Sequence, residues 1–335
     1  MNTNKSSLKK TFDVVGIGNA IVDVLVNTDD AFLHEHELVK GSMALIDQEK
    51  AGNLLLASGN GVKSSGGSVA NTLASISELG SKAGFIGRVK NDDLGKIFNN
   101  DIAASGTIYK TPATIDGPST ARCLIFITPD AERTMCTYLG ASIMLEPKDV
   151  DISMVRETKV LYLEGYLWDN PVAKKAFIQA SIECKEAKGK IALSLSDSFC
   201  VERHRDSFQQ LLEDYVDILF ANESEILALY RSQNLEDAIR RIKGKCEVVV
   251  ITLGQNGSIV ISREEKYKIT PYNFGKVIDT TGAGDSYAGG FLYGYTNNKD
   301  WEVCGNLGSI CSGYIVTQIG PRSKFPLKEL VKNTL

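Results

Sequence analysis

The chain of 335 residues is 43% hydrophobic and 23% charged, a composition typical of a soluble globular protein that forms one large domain or a main domain with an appendage. Its formal net charge of −4 argues against a nucleic-acid partner, because binding a phosphate backbone requires a basic face. A small anionic ligand stays compatible with this charge, since backbone amides and a few cations are enough to bind it.

The cysteines and the apolar runs indicate a cytoplasmic protein without membrane contact. Seven cysteines are dispersed along the chain and none forms a C-x-x-C pair, which favours free thiols in a reducing compartment over disulfides or a zinc site. No apolar run approaches the ~18 residues that a membrane-spanning helix needs. The N-terminal tail, residues 1–11, is polar and basic, and the apolar run after it is interrupted by Asp13 and Asp23, so no signal peptide is expected.

The first 140 residues mix strands with an amphipathic helix. Residues 12–26 predict a buried strand, a Gly-x-Gly turn and a second strand, and further strands are predicted at 43–47 and 83–89. Between the last two, the stretch GGSVANTLASISELG starts with glycines and continues at helical period. Residues 119–139 contain two β-rich runs around the turn PDAE, which predict a hairpin.

From residue 159 onward, apolar strands alternate with helices. Strands are predicted at 159–165, 190–196, 215–222 and 246–254, and the last long helices at 285–298 and 301–320. This alternation predicts an α/β fold whose mostly parallel central sheet is covered by helices on both faces. The early β-rich pieces do not fit the alternation and predict a small β-sheet lid. The main unit is assigned residues 12–20, 48–104 and 142–335, and the discontinuous lid is assigned residues 21–47 and 105–141.

The stretch VIDTTGAGDSYAGGFL, residues 277–292, combines glycines with a lone acid at the start of a helix. Ligands of open α/β sheets bind beyond the carboxyl ends of the strands, and the amides of Gly282, Ala283 and Gly284 are suited to a phosphate there. Asp285 beside them is suited to take a proton from an alcohol that attacks phosphorus. The alternative is that Asp285 only caps the helix, and the residues alone leave both interpretations open.

The stretch GNAIVD gives only a weak indication of a dinucleotide site. Gly16 and Gly18 follow a strand, but Ile21 stands where a third glycine is required and no helix is predicted after it. Asp23 lies within an apolar run, where a carboxylate needs partners, and sugar hydroxyls would supply them. The alternative is an acid at a strand edge that faces water.

In SSGGSVANT, the glycines Gly66 and Gly67 bring the backbone close to a ligand or to another segment, and Asn71 follows about one helical turn later. A helix start capped by Ser68 explains the same residues.

Two further motifs follow strands. In ANESE, Asn222 and Glu225 have the spacing of a capping box, and the functional alternative is an outer-sphere site for Mg²⁺ and phosphate. In TLGQNGS, Thr252, Gly254 and Gly257 predict a strand–turn–strand unit that is either a plain hairpin or lies along nucleotide phosphates. The chain contains no Walker A sequence, which argues against a P-loop kinase.

Together these motifs resemble the PfkB/ribokinase family of small-molecule kinases, over nearly the whole chain from residue 12 to residue 326. DTTGAGDSYAGGFL is similar to the family's C-terminal signature, GGSVANTLASISELG to its N-terminal signature, and NESE to its N-x-x-E magnesium and phosphate motif. Within the family, GIGNAIVDV followed by DDAFLHEHEL resembles the adenosine kinases, as does Gly-Gly-Ser in the first signature. SLSDSF resembles the segment whose phenylalanine stacks on the purine in those enzymes.

The resemblance implies a ribokinase-like three-layer sandwich and an ATP-dependent phosphotransferase that acts on the 5′-hydroxyl of a nucleoside, most closely adenosine. Asp285 would be the general base, and the amides of residues 282–285 with the lid arginine Arg133 would stabilise the transferred group. The residues implied for the acceptor are Asn19, Asp23, Gly66, Gly67 and Asn71, with Tyr166 and Phe199 at the base. Those implied for ATP are Asn222, Thr252, Gly254 and Gly257, with Glu225 acting on Mg²⁺ through water.

The resemblance also implies a K⁺ ion near Asp279, Thr281 and Gly320, because many relatives bind one that orders the anion site. The chain would act as a monomer or as a homodimer formed through the lid. Two alternatives stay open. One is a sugar kinase of the same fold, in which Phe199 and Tyr166 are ordinary pocket walls. The other is a non-catalytic nucleotide-binding protein on the same scaffold, against which the intact Asp285 and its flanking glycines argue.

Overall fold

The computed structural model describes residues 9–59, 61–130, 132–263 and 265–334. Residues 1–8 of the predicted tail and Ala131 of the predicted PDAE turn lie outside the described residues. The strands, in chain order, are β1 (Phe12–Ile17), β2 (Ile21–Asn27), β3 (Met43–Leu45), β4 (Val62–Gly66), β5 (Ala83–Ile86), β6 (Ile108–Tyr109), β7 (Ala121–Ile127), β8 (Arg133–Tyr138), β9 (Thr158–Glu164), β10 (Lys190–Ser194), β11 (Ile218–Asn222), β12 (Val248–Thr252), β13 (Ser258–Ser262) and β14 (Glu265–Ile269).

The helices, in chain order, are α1 (Asp30–Glu35), α2 (Gln48–Ala57), α3 (Ser68–Glu78), α4 (Asp93–Ala104), α5 (Ile152–Arg156), α6 (Pro171–Glu186), α7 (Ser198–Asp214), α8 (Glu223–Tyr230), α9 (Leu235–Ile242), α10 (Ala283–Thr296), α11 (Trp301–Ile315) and α12 (Leu327–Thr334). Within the described ranges, none of these helices combines the length and the apolar character that a membrane crossing requires.

The larger sheet has the strand order β14-β13-β12-β11-β10-β9-β1-β5-β6. All neighbouring pairs from β12 to β6 are parallel, and β13 and β14 extend the sheet as antiparallel strands. Successive residues of the central strands enter different cores. Val15 packs in the core that contains Phe177 of α6, whereas Val14 packs in the core that contains Leu73 of α3 and Phe291 of α10. Helices therefore cover both faces, and the predicted three-layer α/β sandwich is confirmed.

The smaller sheet has the order β3-β8-β7-β2-β4, and the antiparallel pair β7–β8 is the hairpin predicted at 119–139. Two strands, β4 and β6, belong to the other sheet than the predicted domain boundaries assign them to. β4 comes from the range assigned to the main unit but pairs with β2, and β6 comes from the lid range but pairs with β5 of the larger sheet. β4 reads VKSSG and β6 has two residues, so neither carries the apolar alternation that predicts a strand. Dimerisation through the lid stays a prediction.

Two of the crossings between the two sheets lie next to each other. β1 ends at Ile17 and leads into β2, while β4 ends at Gly66, which is paired with Ile21, and leads into α3. Gly67 makes the second crossing at φ +97°, where a side chain would collide with the carbonyl oxygen of Asn19. The start of β2 and the amino end of α3 therefore lie together at the carboxyl edge of the larger sheet.

Candidate active site

Asp285 lies in the first turn of α10, but its side chain does not cap that helix. The helix begins after Gly282, which has no side chain to bond to the free amides of the first turn. One carboxylate oxygen of Asp285 accepts a hydrogen bond from Ser68 Oγ at 2.7 Å, and the other accepts from Asn71 Nδ2 at 2.9 Å. Ser68 does not cap α3 either, since the residue at that position is Gly67, which has no side chain. Both capping alternatives for these motifs are therefore wrong, and the two motifs form one site.

The surroundings of Asp285 make it a stronger base than an exposed aspartate. Burial raises the pKa of its carboxyl, while the hydrogen bonds from Asn71 and Ser68 and the charge of Arg322 oppose that rise. The two hydrogen bonds hold both oxygens in fixed positions. A carboxylate oriented in this way can accept a proton from an alcohol placed against it.

The glycine-rich turn before α10 supplies part of the predicted amide cradle. Gly282 adopts φ +77°, a left-handed conformation that glycine takes without strain. The amide of Ala283 donates to the carbonyl of Thr280 at 3.1 Å, so it is not free to bind a ligand in this conformation. The amides of Gly284 and Asp285 belong to the first helical turn, where no acceptor exists within the helix. A Cβ at Gly284 would meet open space, so this part of the turn is accessible to an anion.

Asp23 is a buried carboxylate that lacks a hydrogen-bond donor among the described residues. Its residue is 8% exposed, and Gly66 leaves room for it, because a side chain at that position would collide with its oxygens. Burial is the main reason that the pKa of Asp23 rises to about 7; Arg322 and Arg133 oppose the rise and Asp285 adds to it. A group of this kind requires donors from a ligand or from water to satisfy it.

The residues predicted to bind K⁺ lie close together, and two of them contact the side chain of Arg133. Arg133 Nη2 lies 2.9 Å from Asp279 Oδ2, and its Nη1 donates to Thr281 Oγ1 at 3.3 Å. Asp279 also accepts from the amides of Thr281 at 3.0 Å and Gly320 at 2.7 Å. The recorded contact of Gly320 is made by its amide, and the guanidinium of Arg133 pairs with Asp279. These contacts do not support the predicted K⁺ site, and they direct Arg133 from the lid to the turn before α10.

Asn222 and Glu225 form the capping box that their spacing predicts. Asn222 Oδ1 accepts from the Glu225 amide at 2.9 Å, and Glu225 accepts from the amide and the side chain of Asn222 at 2.9 and 2.7 Å. Burial raises the pKa of Glu225 to about 7, with a further contribution from Asp197. Because both carboxylate oxygens accept internal hydrogen bonds, direct coordination of Mg²⁺ by Glu225 is not favoured. Among the described residues, no group of three or more histidine, cysteine, aspartate or glutamate side chains is arranged to hold a metal ion.

The segment with Thr252, Gly254 and Gly257 is a turn between the antiparallel strands β12 and β13, as predicted. Gly254 has φ +57° with open space around it, and Gly257 has φ +81° close to the carbonyl oxygen of Ile269. Thr252 is the register partner of Asn222 in the sheet. The residues predicted for ATP therefore follow two neighbouring strands at the same sheet edge.

Asn19 lies at this edge but is committed to internal contacts. Its Nδ2 donates to Glu164 Oε1 at 2.7 Å, and its Oδ1 accepts from Ser142 Oγ at 2.8 Å. Asn19 is 1% exposed and both ends of its carboxamide have internal partners, while its contact with substrate stays a prediction. Glu164 was not predicted; it also accepts from the Val69 amide at the start of α3, and burial raises its pKa to about 7. A lone acid at the end of an apolar strand was the only sequence signal for it.

The two aromatic residues predicted to contact a base are more exposed than most of their kind. Phe199, in the first turn of α7, is 68% exposed, and Tyr166 is 40% exposed. Burial raises the pKa of the Tyr166 hydroxyl, and the charges of Asp197 and Glu164, followed by those of Glu225 and Asp285, add to that rise. Tyr166 therefore lies within electrostatic range of both sides of the candidate site.

Arg322 is a second residue that the sequence reasoning missed. It follows α11 and donates from Nε to Asn71 Oδ1 at 3.0 Å and from Nη2 to Ser65 Oγ at 2.9 Å. Asn71 therefore uses one end of its carboxamide for Arg322 and the other for Asp285, which limits its predicted contact with a ribose to the second hydrogen on Nδ2. A single arginine in a loop near the C-terminus carries no periodic or spacing signal.

Comparison with known proteins finds kinases that are similar to this chain over almost its whole length. A probable sugar kinase from Rhizobium etli is 43% identical, with a TM-score of 0.90 over 97% of this chain and 98% of that one. The adenosine kinase from Sinorhizobium meliloti is 42% identical, with a TM-score of 0.89 over 97% and 99%. The adenosine kinase of Saccharomyces cerevisiae is 25% identical over 336 residues, which cover 93% of this chain and 96% of that protein.

The family model described as pfkB family carbohydrate kinase matches residues 38–328. This range contains both glycine-rich motifs, the lid arginine Arg133 and the base candidate Asp285. The chain belongs to the pfkB family of carbohydrate kinases.

Proposed function

We propose that this kinase transfers the γ-phosphoryl group of ATP to the 5′-hydroxyl of a nucleoside, with adenosine as the preferred acceptor and AMP as the product. The observation that carries the proposal is the carboxylate of Asp285, which is held by Ser68 and Asn71 beside the free amides of a helix start. A base next to an anion site is the arrangement that attack of an alcohol on a phosphoryl group requires.

In the proposed reaction, the hydroxyl of the acceptor gives its proton to Asp285 as its oxygen forms a bond to the γ-phosphorus. The bond from that phosphorus to the oxygen bridging the β-phosphate breaks, and the electron pair leaves with ADP. The amides of Gly284 and Asp285 and the guanidinium of Arg133 stabilise the charge on the transferred group. Mg²⁺ would supply further charge neutralisation, and Asn222 and Glu225 would act on it through water.

The acceptor would be held by Asp23, whose carboxylate lacks donors among the described residues and can accept from two neighbouring hydroxyl groups. Phe199 and Tyr166 would contact the base. The exposed ring of Phe199 supports this role, because an exposed aromatic side chain beside a site gains from being covered by a flat apolar group. The 42% identical adenosine kinase from Sinorhizobium meliloti supports the same substrate class.

The competing candidate is a kinase that phosphorylates a free sugar. The 43% identical probable sugar kinase from Rhizobium etli favours it as strongly by identity. In that case Asp23 and Asp285 keep their roles, and Phe199 and Tyr166 are walls without a stacking partner. The two candidates therefore differ at the aromatic residues and agree at the carboxylates.

Replacing Asp285 by asparagine, Asp285→Asn, should lower kcat by about 100- to 10,000-fold, because the amide cannot accept the proton of the acceptor hydroxyl. The affinity for ATP should change little. Coupled measurement of ADP formation with adenosine, and calorimetric titration with ATP, test the two statements. Asp237 occupies the same third position in α9 and contacts Ser232 and Arg241, so Asp237→Asn is a matched control that should keep normal turnover. Near-normal turnover in Asp285→Asn would refute its role as base.

Replacing Phe199 by alanine, Phe199→Ala, should raise KM for adenosine by about 10-fold, the loss expected when one base loses its aromatic stacking partner. The KM of any free sugar that the protein accepts should stay within about 2-fold, because a sugar offers no face for stacking. Steady-state kinetics with both acceptors measure the difference. An unchanged KM for adenosine would remove the stacking role.

Replacing Asp23 by asparagine, Asp23→Asn, should stabilise the fold near pH 8 while it weakens acceptor binding. The pKa of Asp23 rises from 3.8 to about 7 on folding, so the folded state binds more protons between these values and the free energy of unfolding falls as the pH rises through them. An asparagine avoids that loss of stability, which these two pKa values put at about 4 kcal/mol at pH 8 and below about 1 kcal/mol at pH 4.

Urea unfolding of wild type and Asp23→Asn at pH 4, 6 and 8 measures this effect. The exposed Asp93 serves as a control, since Asp93→Asn should give no gain that grows with pH. An Asp23→Asn variant whose advantage over wild type does not grow with pH would contradict the burial of an ionisable, unpartnered carboxyl.

A further inference from the structure

The loop after α11 carries a buried arginine that joins three parts of the molecule. Arg322 donates from Nε to Asn71 Oδ1 at 3.0 Å, and from Nη2 to Ser65 Oγ at 2.9 Å and to the Ser65 carbonyl at 3.3 Å. Asn71 belongs to α3 and Ser65 to β4 of the smaller sheet. One planar guanidinium therefore connects the C-terminal loop, the helix that holds Asp285, and an edge strand of the lid.

Four carboxyl groups lie within electrostatic range of Arg322. The carboxyl groups within its electrostatic range are those of Asp23, Glu78, Asp101 and Asp285. None of them forms a salt bridge to it within 4.0 Å among the described residues, and Asp101 accepts instead from the Ser65 amide at 2.6 Å. Arg322 is thus attached by hydrogen bonds to neutral groups, and its charge acts on Asp23 and Asp285 from a short distance.

The chemistry of the guanidinium fixes the orientation of Asn71. Arginine can only donate hydrogen bonds, so the Asn71 carboxamide must present its oxygen to Arg322. Its Nδ2 is then directed to Asp285, to which it donates at 2.9 Å. Without Arg322 the carboxamide could turn over and present an oxygen to the carboxylate of Asp285, which would repel it.

We propose that Arg322 is a positioning residue for phosphoryl transfer: it holds the Asn71 carboxamide in the orientation that donates to Asp285, and it ties α3 to the lid strand β4. The proposal rests on the proposed function, because it assigns Arg322 to the support of the base. Arg322 touches neither the acceptor nor the phosphates in this account; it acts through Asn71 and Ser65.

The test compares Arg322→Gln, Arg322→Lys and the control Arg156→Gln in the full-length protein. Arg156 is an arginine that pairs with Glu183 and Glu186, and it lies just before the amino end of β9, away from the carboxyl edge of the sheet. For each variant, kcat and KM for adenosine, the pH profile of kcat/KM and the melting temperature are measured. The titratable or charged groups that bear on Asp285 in this profile are Asp23, Tyr162, Glu164, Tyr166 and Arg322.

Arg322→Gln should lower kcat by about 100-fold, as expected when a catalytic group loses its orientation. It should also move the acidic limb of the pH profile to higher pH, because loss of a positive charge makes the nearby carboxyl groups harder to ionise. Arg322→Lys keeps the charge but not the planar fork, so it should lower kcat with little movement of the limb. Arg156→Gln should match wild type in both.

A folded Arg322→Gln protein with kcat within about 2-fold of wild type and an unmoved acidic limb would overturn the proposal. If Arg322→Gln does not fold, Arg322→Lys decides, and a wild-type kcat in that variant would overturn the proposal as well. Failure of the proposed function has a different signature, since the wild-type protein would then transfer no phosphoryl group to a nucleoside before any variant is compared.

Discussion

The candidate site depends on the two hydrogen bonds that Ser68 and Asn71 of α3 donate to Asp285 of α10. These hydrogen bonds require α3 and α10 to pack closely against each other. Gly289 permits this approach, because a side chain there would place its Cβ 2.8 Å from Ser75 Cβ and 3.1 Å from the Thr72 carbonyl oxygen. The small residues that follow Asp285 in α10 are therefore part of how the site is built, since they let α3 reach the carboxylate.

The site also concentrates carboxyl groups that the fold does not fully neutralise. Burial raises the pKa values of Asp23, Glu164 and Glu225 to about 7, and that of Asp285 also rises. Internal donors satisfy Glu164 and Glu225, whereas Asp23 has no hydrogen-bond donor among the residues that the structure describes. Groups kept ionisable and unpartnered at the expense of stability are typical of sites that bind or react. This contrast distinguishes Asp23, the carboxyl group proposed to bind the acceptor, from the two that internal hydrogen bonds hold.

Much of the fold could be predicted from the sequence, because apolar strands of period two and helices of period 3.6 are local patterns. The alternation after residue 159 and the β7–β8 hairpin are examples. β4 could not be predicted, since its sequence VKSSG owes its strand structure to pairing with β2.

In the site as well, contacts between residues close in sequence could be predicted, and contacts between residues far apart in sequence could not. The capping box at Asn222 is local, so the spacing of Asn222 and Glu225 indicates it, whereas Asp285 and Asn71 are 214 residues apart and their contact exists only in the folded chain. The same holds for the hydrogen bonds of Asn19, Glu164 and Arg322, whose partners also lie far away along the sequence. The Arg133–Asp279 ion pair likewise joins the lid to the turn before α10, which spacing along the chain could not reveal.

The most direct measurement of the central claim is the rate of ADP formation with adenosine, inosine, guanosine, ribose and fructose as acceptors, each at several concentrations with ATP and Mg²⁺ in excess. We expect the highest kcat/KM for adenosine, above that for ribose by about 10- to 100-fold, because the base adds stacking energy that a free sugar lacks. A free sugar as the best acceptor would contradict the assignment of a nucleoside. ADP formation that none of the acceptors accelerates would contradict phosphoryl transfer to any of these alcohols.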